Sequence, residues 1–339
     1  MRCLVVGGTG FLGGAIADAL VAAGHELTIM SRGQTKRSAE KGAHVVKADR
    51  YGDLTPLSGG KFDWVFDSCA FEPDAVRRLL DAVGADISRY VMISSISAYG
   101  SFAKLGLNED DSVPNPTAQD LAVARSVPVE KRASAFAYGK SYGPLKRACE
   151  LAAAERLGDR ATLLRVGLLV GAGDYTDRLT WWVRRIDEAR DERRRIPVPA
   201  PRRRKVQLID VRDAAEFGVL CAENDLSGIW NVTGQPIDFG DLLGAIQQST
   251  GSQPEFCWFD DARMSEVGVA PWTELPLIAP ATPDFRYFLE VGTRRAVSAG
   301  LRCRPLVETL DPLLAWDRGR RDQDLQGGLS GDQEIALLS

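Results

Sequence analysis

Short apolar segments alternate with segments of helical character along the first half of the chain. Apolar runs bounded by glycine, proline or polar residues predict β-strands, and longer runs of helix-forming residues predict the helices between them. The predicted strands are 3–6, 26–30, 43–49, 62–67, 90–94 and 161–166, and the clearest helices are 15–24 and 73–83. This alternation predicts an α/β fold with a doubly wound parallel sheet, the Rossmann arrangement, in which ligands bind beyond the carboxyl ends of the strands.

The second half of the chain is more irregular and predicts a smaller substrate domain. Prolines recur between residues 197 and 305, and helices are predicted at 213–224, 238–249 and 305–316. We assign residues 1–167 to the dinucleotide-binding domain, with a return segment near 206–232. Residues 168–205 and 233–325 form the predicted substrate domain, and 326–339 are a polar tail. Because polar chain ends are often poorly ordered, we expect this tail to be frayed or loosely docked.

A glycine-rich turn follows the first predicted strand. Gly7, Gly10 and Gly13 match the spacing GxxGxxG, and Gly8 with the last two matches GxGxxG. Between a strand and a helix, such a turn lets phosphate approach the backbone and the helix N-terminus. The sequence therefore predicts a dinucleotide site that includes Gly7, Thr9, Gly10, Phe11, Leu12 and Gly13.

The end of the second predicted strand indicates which dinucleotide is bound. An acidic residue there would hold the ribose 2′-hydroxyl of NAD, whereas an arginine accommodates a 2′-phosphate. This chain has Ser31 and Arg32 at that position, with Lys36 and Arg37 nearby. The sequence therefore predicts NADP(H), with NAD as the second choice. The alternative is that Arg32 is an ordinary solvated loop residue.

Composition narrows the choice of partners. The 339 residues carry a net charge of −4, which gives no general reason to expect a nucleic acid or a membrane surface as partner. No apolar stretch approaches the roughly 18–20 residues of a membrane span. The six cysteines form no CxxC pair, so we expect buried thiols in a reducing cytoplasm. With only two histidines, His25 and His44, we expect no metal site.

A basic run covers residues 184–205 and leaves three interpretations open. It could be a solvated helix face with a loop, a contact for an anionic substrate or cofactor phosphate, or a nucleic-acid surface. No aromatic platform accompanies the run, so we expect no nucleic acid. The preceding Trp181 and Trp182 are expected to pack the smaller domain or to line the substrate pocket.

The catalytic signal lies between the fifth and sixth predicted strands. Tyr142 and Lys146 are four residues apart and therefore share one face of a helix. A phenol with a pKa near 10 is a poor acid–base catalyst at neutral pH, and a nearby ammonium group lowers that pKa. Serines 94, 95 and 97 follow the fifth strand and could bind a substrate carbonyl or hydroxyl, or only cap turns.

Three motifs together resemble a known family. Gly-Gly-Thr-Gly-Phe-Leu-Gly at 7–13, Ser-Ser-Ile-Ser-Ala-Tyr-Gly at 94–100 and Tyr-Gly-Pro-Leu-Lys at 142–146 are similar to the extended short-chain dehydrogenase/reductases. That branch is also called the NAD-dependent epimerase/dehydratase family. The resemblance continues through 165–171 and 208–213, so it covers most of the chain.

The resemblance implies roles for individual residues. Tyr142 would be the acid–base, Lys146 would hold the nicotinamide ribose and tune Tyr142, and Ser95 would be the family's serine. Along the cofactor, the implied contacts are Asp49 to the adenine amino group, Arg50 flanking it, and Cys69 and Ala70 at the end of the fourth strand. Family members are often dimers, so a homodimer is also expected by analogy.

Two departures from the family bear on the substrate. Leu168 stands where nucleotide-sugar members usually carry an asparagine, and Val206 stands where they carry an arginine that grips the sugar-nucleotide pyrophosphate. The long stretch between Gly100 and Tyr142 is expected to cover the site as a lid or substrate loop. We therefore expect an atypical, reductase-like member acting on a small or medium, fairly apolar carbonyl or alcohol. The alternatives are a nucleotide-sugar epimerase or dehydratase with captive NAD, and a non-catalytic nucleotide-binding regulator.

Overall fold

A parallel sheet of seven strands forms the centre of the computed structural model, which describes residues 1–33, 42–84, 86–132, 134–190 and 194–339. The described strands are β1 (Arg2–Val6), β2 (Glu26–Ser31), β3 (His44–Lys47), β4 (Trp64–Asp67), β5 (Arg89–Ser95), β6 (Ala161–Val166), β7 (Leu168–Val170), β8 (Arg195–Pro199), β9 (Lys205–Val206), β10 (Leu208–Asp210), β11 (Gly228–Val232), β12 (Ile237–Asp238) and β13 (Glu255–Phe259). The sheet order is β11-β6-β5-β4-β1-β2-β3, with every neighbouring pair parallel. This order confirms the predicted doubly wound fold.

Helices cover both faces of this sheet. The described helices are α1 (Phe11–Ala22), α2 (Pro73–Val83), α3 (Ala118–Ser126), α4 (Tyr142–Leu157), α5 (Arg178–Asp187), α6 (Val211–Glu223), α7 (Phe239–Thr250), α8 (Asp261–Val267), α9 (Arg294–Ser298), α10 (Leu306–Arg318) and α11 (Gly331–Leu338). Helices α1 and α6 pack together on one face, and α2 and α4 pack together on the other. Strands β4, β5 and β6 are buried along their whole length, as parallel strands between two helical layers must be.

The chain direction creates a crevice beside the first strand. From β1 the chain winds outward to β2 and β3, and then crosses back to β4 on the other side of β1. At such a switch point the loops diverge and leave room for a ligand at the carboxyl ends of the strands. Helix α1 starts at Phe11, four residues earlier than predicted, so its N-terminus opens directly on this crevice.

The C-terminal half has a separate hydrophobic core. Three small sheets, β7 with β10, β8 with β13 and β9 with β12, join helices α5, α7 and α10 around the buried Trp182. None of the strands β7 to β13 was predicted, including β11 at the edge of the central sheet. They are short, and β8 contains Pro197 and Pro199, which weaken a strand signal in the sequence.

The expectation that the C-terminal tail is frayed or loosely docked is wrong. Residues 331–338 form α11, which starts with a capping box between Ser330 and Gln333 and packs against β8 and α8. Leu337 is only 7% exposed, and Glu334 forms an ion pair with Arg185 of α5. Polar composition concealed this docking because the tail buries few apolar side chains and uses charged pairs as well.

The structure bears on two expectations from composition, which concern membrane-spanning segments and the burial of the cysteines. No helix of the described residues is long and apolar enough to cross a membrane. The six cysteines are all free, but only Cys3, Cys149 and Cys221 are buried, and Cys303 is exposed. The expectation that all six thiols are buried is therefore wrong.

Candidate active site

One cavity of about 970 Å³ extends along the carboxyl ends of the central strands. Its wall includes the following residues predicted to act in catalysis or cofactor binding: Gly7, Thr9, Gly10, Phe11, Leu12, Gly13, Ser31, Arg32, Asp49, Arg50, Cys69, Ser95, Tyr142 and Lys146. Ala70 is fully buried behind this wall and does not line the cavity. The fold thus gathers these residues from five strand ends and two helix starts around one space.

The glycine turn at the cavity wall is shaped for a close backbone approach. Gly7 has a φ of +79°, and its carbonyl oxygen accepts a hydrogen bond of 2.9 Å from Gly10 N. A Cβ atom on Gly13 would lie 2.1 Å from the same oxygen, so no larger residue fits there. The first turn of α1, which is fully described, contains no acidic side chain, and its N-cap is Gly10. These features fit the pyrophosphate of a dinucleotide.

The adenosine end of the cavity is formed by the ends of β2 and β3. The Ser31 hydroxyl accepts a hydrogen bond of 3.2 Å from Gly33 N, and Arg32 is exposed at the cavity wall. Asp49 accepts a hydrogen bond of 2.9 Å from Tyr51 N, which fixes its carboxylate beside the cavity. Lys36 and Arg37, expected near this end, lie outside the described residues.

Arg50 has a structural partner beneath the cavity. Its guanidinium donates two hydrogen bonds of 2.7 and 3.0 Å to the Asp67 carboxylate at the end of β4. Burial alone would raise the pKa of Asp67, but Arg50 and a 2.7 Å hydrogen bond from Tyr90 hold that pKa below its usual value. Arg50 therefore lines the cavity, while its charge is directed at Asp67.

Tyr142 stands where helix α4 meets the end of β5. It is the first residue of α4, and it lines the cavity together with Ser95. A Cβ on the next residue, Gly143, would lie 2.1 Å from the Ser97 carbonyl oxygen, so the helix approaches this turn very closely. Burial raises the pKa of Tyr142 above its usual value, although interaction with the Ser95 hydroxyl and the charge of Arg178 act to lower it.

Lys146 lies one turn further along the same helix. Its side chain is buried, and Nζ donates a 2.9 Å hydrogen bond to the Ile93 carbonyl oxygen. Nζ also lies 4.4 Å from the ring centre of Phe71 and 5.8 Å from that of Tyr142. Burial lowers the pKa of Lys146. This position is compatible with binding a ribose beside Tyr142, and the cation whose charge acts on the phenol is Arg178.

A buried ion pair fixes helix α4 to the sheet. The Arg165 guanidinium on β6 donates hydrogen bonds of 2.8 and 2.7 Å to the two carboxylate oxygens of Glu150 on α4. The Ser94 hydroxyl at the end of β5 donates a third, of 2.6 Å, to the same carboxylate. Because all three residues are buried, this network fixes the position of α4 and therefore of Tyr142.

The substrate end of the cavity contains residues that sequence reasoning missed. Asp174 follows β7, and Arg178 starts α5, so the two lie four residues apart at a helix start. Aromatic side chains surround them, and these are Phe102, Phe136, Tyr175, Trp272, Phe285 and Phe288. The spacing of Asp174 and Arg178 before an amphipathic helix was the available signal. Its meaning depends on aromatic residues that are distant in the sequence.

The two residues at which the chain departs from the family pattern lie in different parts of the structure. Leu168 lines the cavity, whereas Val206 is fully buried in the core of the C-terminal half and does not reach the wall. From the predicted lid between Gly100 and Tyr142, the wall includes Phe102, Ala135, Phe136, Gly139 and Lys140.

The basic run is not part of the cavity wall in its described residues. Its ion pairs include Arg184–Asp317, Arg185–Glu334, Arg194–Glu188, Arg204–Asp261 and Lys205–Asp238. The described part of the run therefore stabilises the C-terminal half, and the interpretation as an anion contact in this cavity is not supported. Residues 191–193 lie outside the described chain.

The chain is similar in sequence to known proteins. A sequence model of the NAD-dependent epimerase/dehydratase family matches residues 3–76 and 74–233. Over 164 residues the chain is 30% identical to 2′-dehydrokanamycin reductase from Streptomyces kanamyceticus, covering 47% of this chain and 44% of that protein. The match therefore spans less than half of the relative's length.

Solved structures with the same fold include several sugar-nucleotide enzymes. UDP-N-acetylglucosamine 4-epimerase from Methanobrevibacter ruminantium superposes with a TM-score of 0.66 at 19% identity, covering 94% of this chain and 98% of that one. UDP-glucose 4-epimerase from Thermotoga maritima gives a TM-score of 0.62 at 16% identity, covering 94% and 99%. At these identities the likeness shows the fold alone.

Proposed function

Because the chain belongs to the NAD-dependent epimerase/dehydratase family, we propose that it is an NADP(H)-dependent oxidoreductase acting on a small or medium carbonyl or alcohol. One observation carries the proposal. Tyr142 and Ser95 line the same cavity as the glycine turn, and the Ser95 hydroxyl acts to lower the pKa of Tyr142. A proton donor, a second hydroxyl and a dinucleotide cradle thus share one space, as carbonyl reduction requires.

The chain's own residues supply positioning and a proton. A bound nicotinamide would supply the hydride in reduction, or accept it in oxidation. Tyr142 gives its proton to the carbonyl oxygen in reduction and takes it back from the alcohol in oxidation. Ser95 donates a hydrogen bond to the same substrate oxygen. Lys146 binds the ribose and adds a positive charge near the phenol.

The preference for NADP(H) rests on the end of β2. Arg32 is exposed at the cavity wall, and no ion pair with a carboxylate occupies it in the described part of the chain. Ser31 precedes it where an NAD enzyme would have an acidic residue. An unpaired guanidinium can bind a 2′-phosphate through charge-assisted hydrogen bonds.

Two observations favour a reductase substrate over a nucleotide-linked sugar. Leu168 offers no amide at the cavity wall, and Val206 is buried where an arginine would grip a pyrophosphate. The partial relative from Streptomyces kanamyceticus is by name a 2′-dehydrokanamycin reductase, which supports reductase chemistry. A cytoplasmic location is part of the proposal, supported by six unpaired cysteines.

The proposal is tested on the protein as purified. The protein is denatured and any released nucleotide is identified, and binding of NADPH and NADH is then measured by titration. We expect no retained nucleotide, tighter binding of NADPH, and oxidation of NADPH with ketones or aldehydes. Stoichiometric NAD that survives dialysis would overturn the proposal in favour of an epimerase or dehydratase.

The variant Arg32→Asp tests the cofactor preference. It should weaken NADPH binding about tenfold to a hundredfold and leave NADH binding nearly unchanged, because a charge-assisted hydrogen bond contributes about 1.5–3 kcal/mol. Arg302→Asp changes an exposed arginine outside the cavity and should leave both affinities unchanged. Equal losses for both cofactors in Arg32→Asp would contradict the preference.

A further inference from the structure

We propose that Asp174 and Arg178 together bind a hydroxyl group of the substrate close to the carbon that reacts. The enzyme would then select a hydroxyketone over the apolar ketone of the same shape. This inference rests on the proposed function and names a feature of its substrate. It also modifies the expectation of a fairly apolar substrate, since it places a polar anchor among the aromatic residues.

Asp174 lines the cavity and has one carboxylate oxygen without a partner among the described residues. Its Oδ1 accepts hydrogen bonds of 2.8 Å from Thr176 N and 2.7 Å from Thr176 Oγ1, which fix the carboxylate. The residue is only 2% exposed, and its Oδ2 is buried without a hydrogen-bond partner among the described residues. Such a group is unfavourable unless a ligand supplies the missing donor.

Arg178 presents unused donors to the same cavity. The described residues give it no carboxylate oxygen within ion-pair distance, although the Asp174 and Tyr142 side chains both act on it electrostatically. Its guanidinium carbon lies 4.9 Å from the ring centre of Trp272 and 5.8 Å from that of Phe136. These aromatic contacts hold the guanidinium plane and leave N–H groups for a ligand.

An acceptor beside a donor fits a hydroxyl group better than a charged group. A hydroxyl donates one hydrogen bond, here to Asp174, and accepts others, here from Arg178. An ammonium group cannot accept a hydrogen bond and would be repelled by the guanidinium. A carboxylate has no proton to donate and would be repelled by Asp174. The pair is neutral overall, which favours an uncharged polar substrate.

The position of the pair relates it to the reacting carbon. Tyr142, Asp174 and Arg178 line the same cavity, and the guanidinium is close enough for its charge to act on the phenol. Trp272, Phe285 and Phe288 form the adjoining apolar wall, suited to the hydrocarbon frame of the substrate. A hydroxyl held at the pair would therefore help to orient a neighbouring carbonyl towards Tyr142.

The test compares ketones that differ in one group. NADPH oxidation is followed with 2-hydroxycyclohexanone, 2-methylcyclohexanone and 2-aminocyclohexanone hydrochloride. We expect kcat/KM for the hydroxyl compound to exceed that for the other two by about tenfold or more, because a site built for a hydroxyl rejects analogues that lack it. A preference for the methyl or the amino compound would overturn the inference.

Two variants test whether Asp174 and Arg178 cause the preference for the hydroxyl compound. Asp174→Asn keeps an oxygen for Thr176 but replaces the free acceptor, and Arg178→Met keeps an unbranched stem without donors. Each should reduce the ratio of kcat/KM for hydroxyl over methyl about tenfold, an effect that a loss of stability alone would not produce. Asp317→Asn changes a buried carboxylate outside the cavity and should leave the ratio unchanged. An unchanged ratio in both variants of the pair would overturn the inference.

A binding measurement separates this inference from the proposed function. Saturation-transfer NMR with trans-1,2-cyclohexanediol and trans-2-methylcyclohexanol needs no turnover. If no ketone is reduced while NADPH binds, the proposed function fails. Stronger binding of the diol that is lost in Asp174→Asn would still support the hydroxyl site, and equal binding of both compounds would overturn it.

Discussion

At the cofactor end of the cavity the wall is largely backbone, whereas at the substrate end it consists of large side chains. Gly7, Gly10 and Gly13 bring main-chain atoms to the surface, and Gly13 has no space for a Cβ. At the other end, Trp272 and Phe288 have ring centres 5.2 Å apart and adjoin the Asp174 region. The same cavity therefore joins two kinds of wall.

This difference determines at which end of the cavity residues can be replaced without changing the fold. A wall made of backbone is part of the sheet and helix geometry, so changing it alters the fold itself. A wall made of side chains can be replaced residue by residue while the sheet remains intact. Leu168 illustrates the second kind, since it lines the cavity beyond β6 and departs from the nucleotide-sugar pattern. Tyr142 lies at the junction of the two ends.

The largest expected effect is at this junction. Tyr142→Phe removes the proton donor and keeps the ring, so we expect kcat to fall about 10²–10⁴-fold while NADPH affinity is retained. Tyr138→Phe is the matched control, since its hydroxyl donates to the Arg132 carbonyl oxygen and the residue does not line the cavity. Turnover that survives in Tyr142→Phe would contradict the assigned role. Steady-state kinetics and NADPH titration measure both effects.

A second large effect is expected where α4 is anchored. Glu150→Gln leaves the buried Arg165 charge without its carboxylate, and breaking a buried pair in this way costs about 3–5 kcal/mol. Urea denaturation measures the free energy of unfolding. Glu155→Gln, on an exposed part of the same helix, should change it by less than about 0.5 kcal/mol. Similar losses in the two variants would show that the buried network does not anchor the helix.

The backbone wall should not tolerate one added carbon. Gly13→Ala places a Cβ against the Gly7 carbonyl, so the turn must shift. We expect weaker NADPH binding and a loss of about 1–3 kcal/mol in stability. Gly244→Ala lies in α7 with open space around the added atom and should be neutral or slightly stabilising. Unchanged NADPH affinity in Gly13→Ala would contradict the proposed role of the turn.

The two halves also differ in how far the sequence predicts them. Strands β1 to β6 and helix α2 follow from local apolar runs, and α2 and β6 have the predicted bounds. Strand β8 pairs with β13, a segment far along the chain, so its formation depends on a partner that local patterns do not reveal. Helix α1 begins at Phe11 because tertiary packing overrides the low helix propensity of Gly13 and Gly14.

The site shows the same limit. Tyr142 was predicted from its spacing to Lys146 and Ser95 from the family resemblance, and the fold places both in the wall of one cavity. The ion pair of Arg50 with Asp67 could not be predicted, since it depends on two strand ends meeting below the cavity. The sequence signal at Asp174 is limited to its spacing from Arg178, and its burial depends on the surrounding tertiary structure.

The smallest expected effect tests whether Arg178, at the substrate end of the cavity, shifts the pKa of Tyr142. The Arg178 charge lowers the pKa of Tyr142, so Arg178→Met should raise that pKa further. Reduction requires the protonated phenol, and its kcat/KM should therefore hold its plateau to a higher pH than in the wild type. Oxidation requires the phenolate, and its rise with pH should begin later.

Lys140→Met provides the matched control for this shift, since Lys140 lines the cavity but does not act on the Tyr142 pKa. Its pH profiles should coincide with those of the wild type. A profile of Arg178→Met that is unchanged, or displaced to lower pH, would show that the two ends of the cavity are electrostatically independent. A displacement to higher pH would instead mean that a residue of the variable wall takes part in setting the acid strength of Tyr142. The side-chain wall would then affect the chemistry of the reaction as well as the choice of substrate.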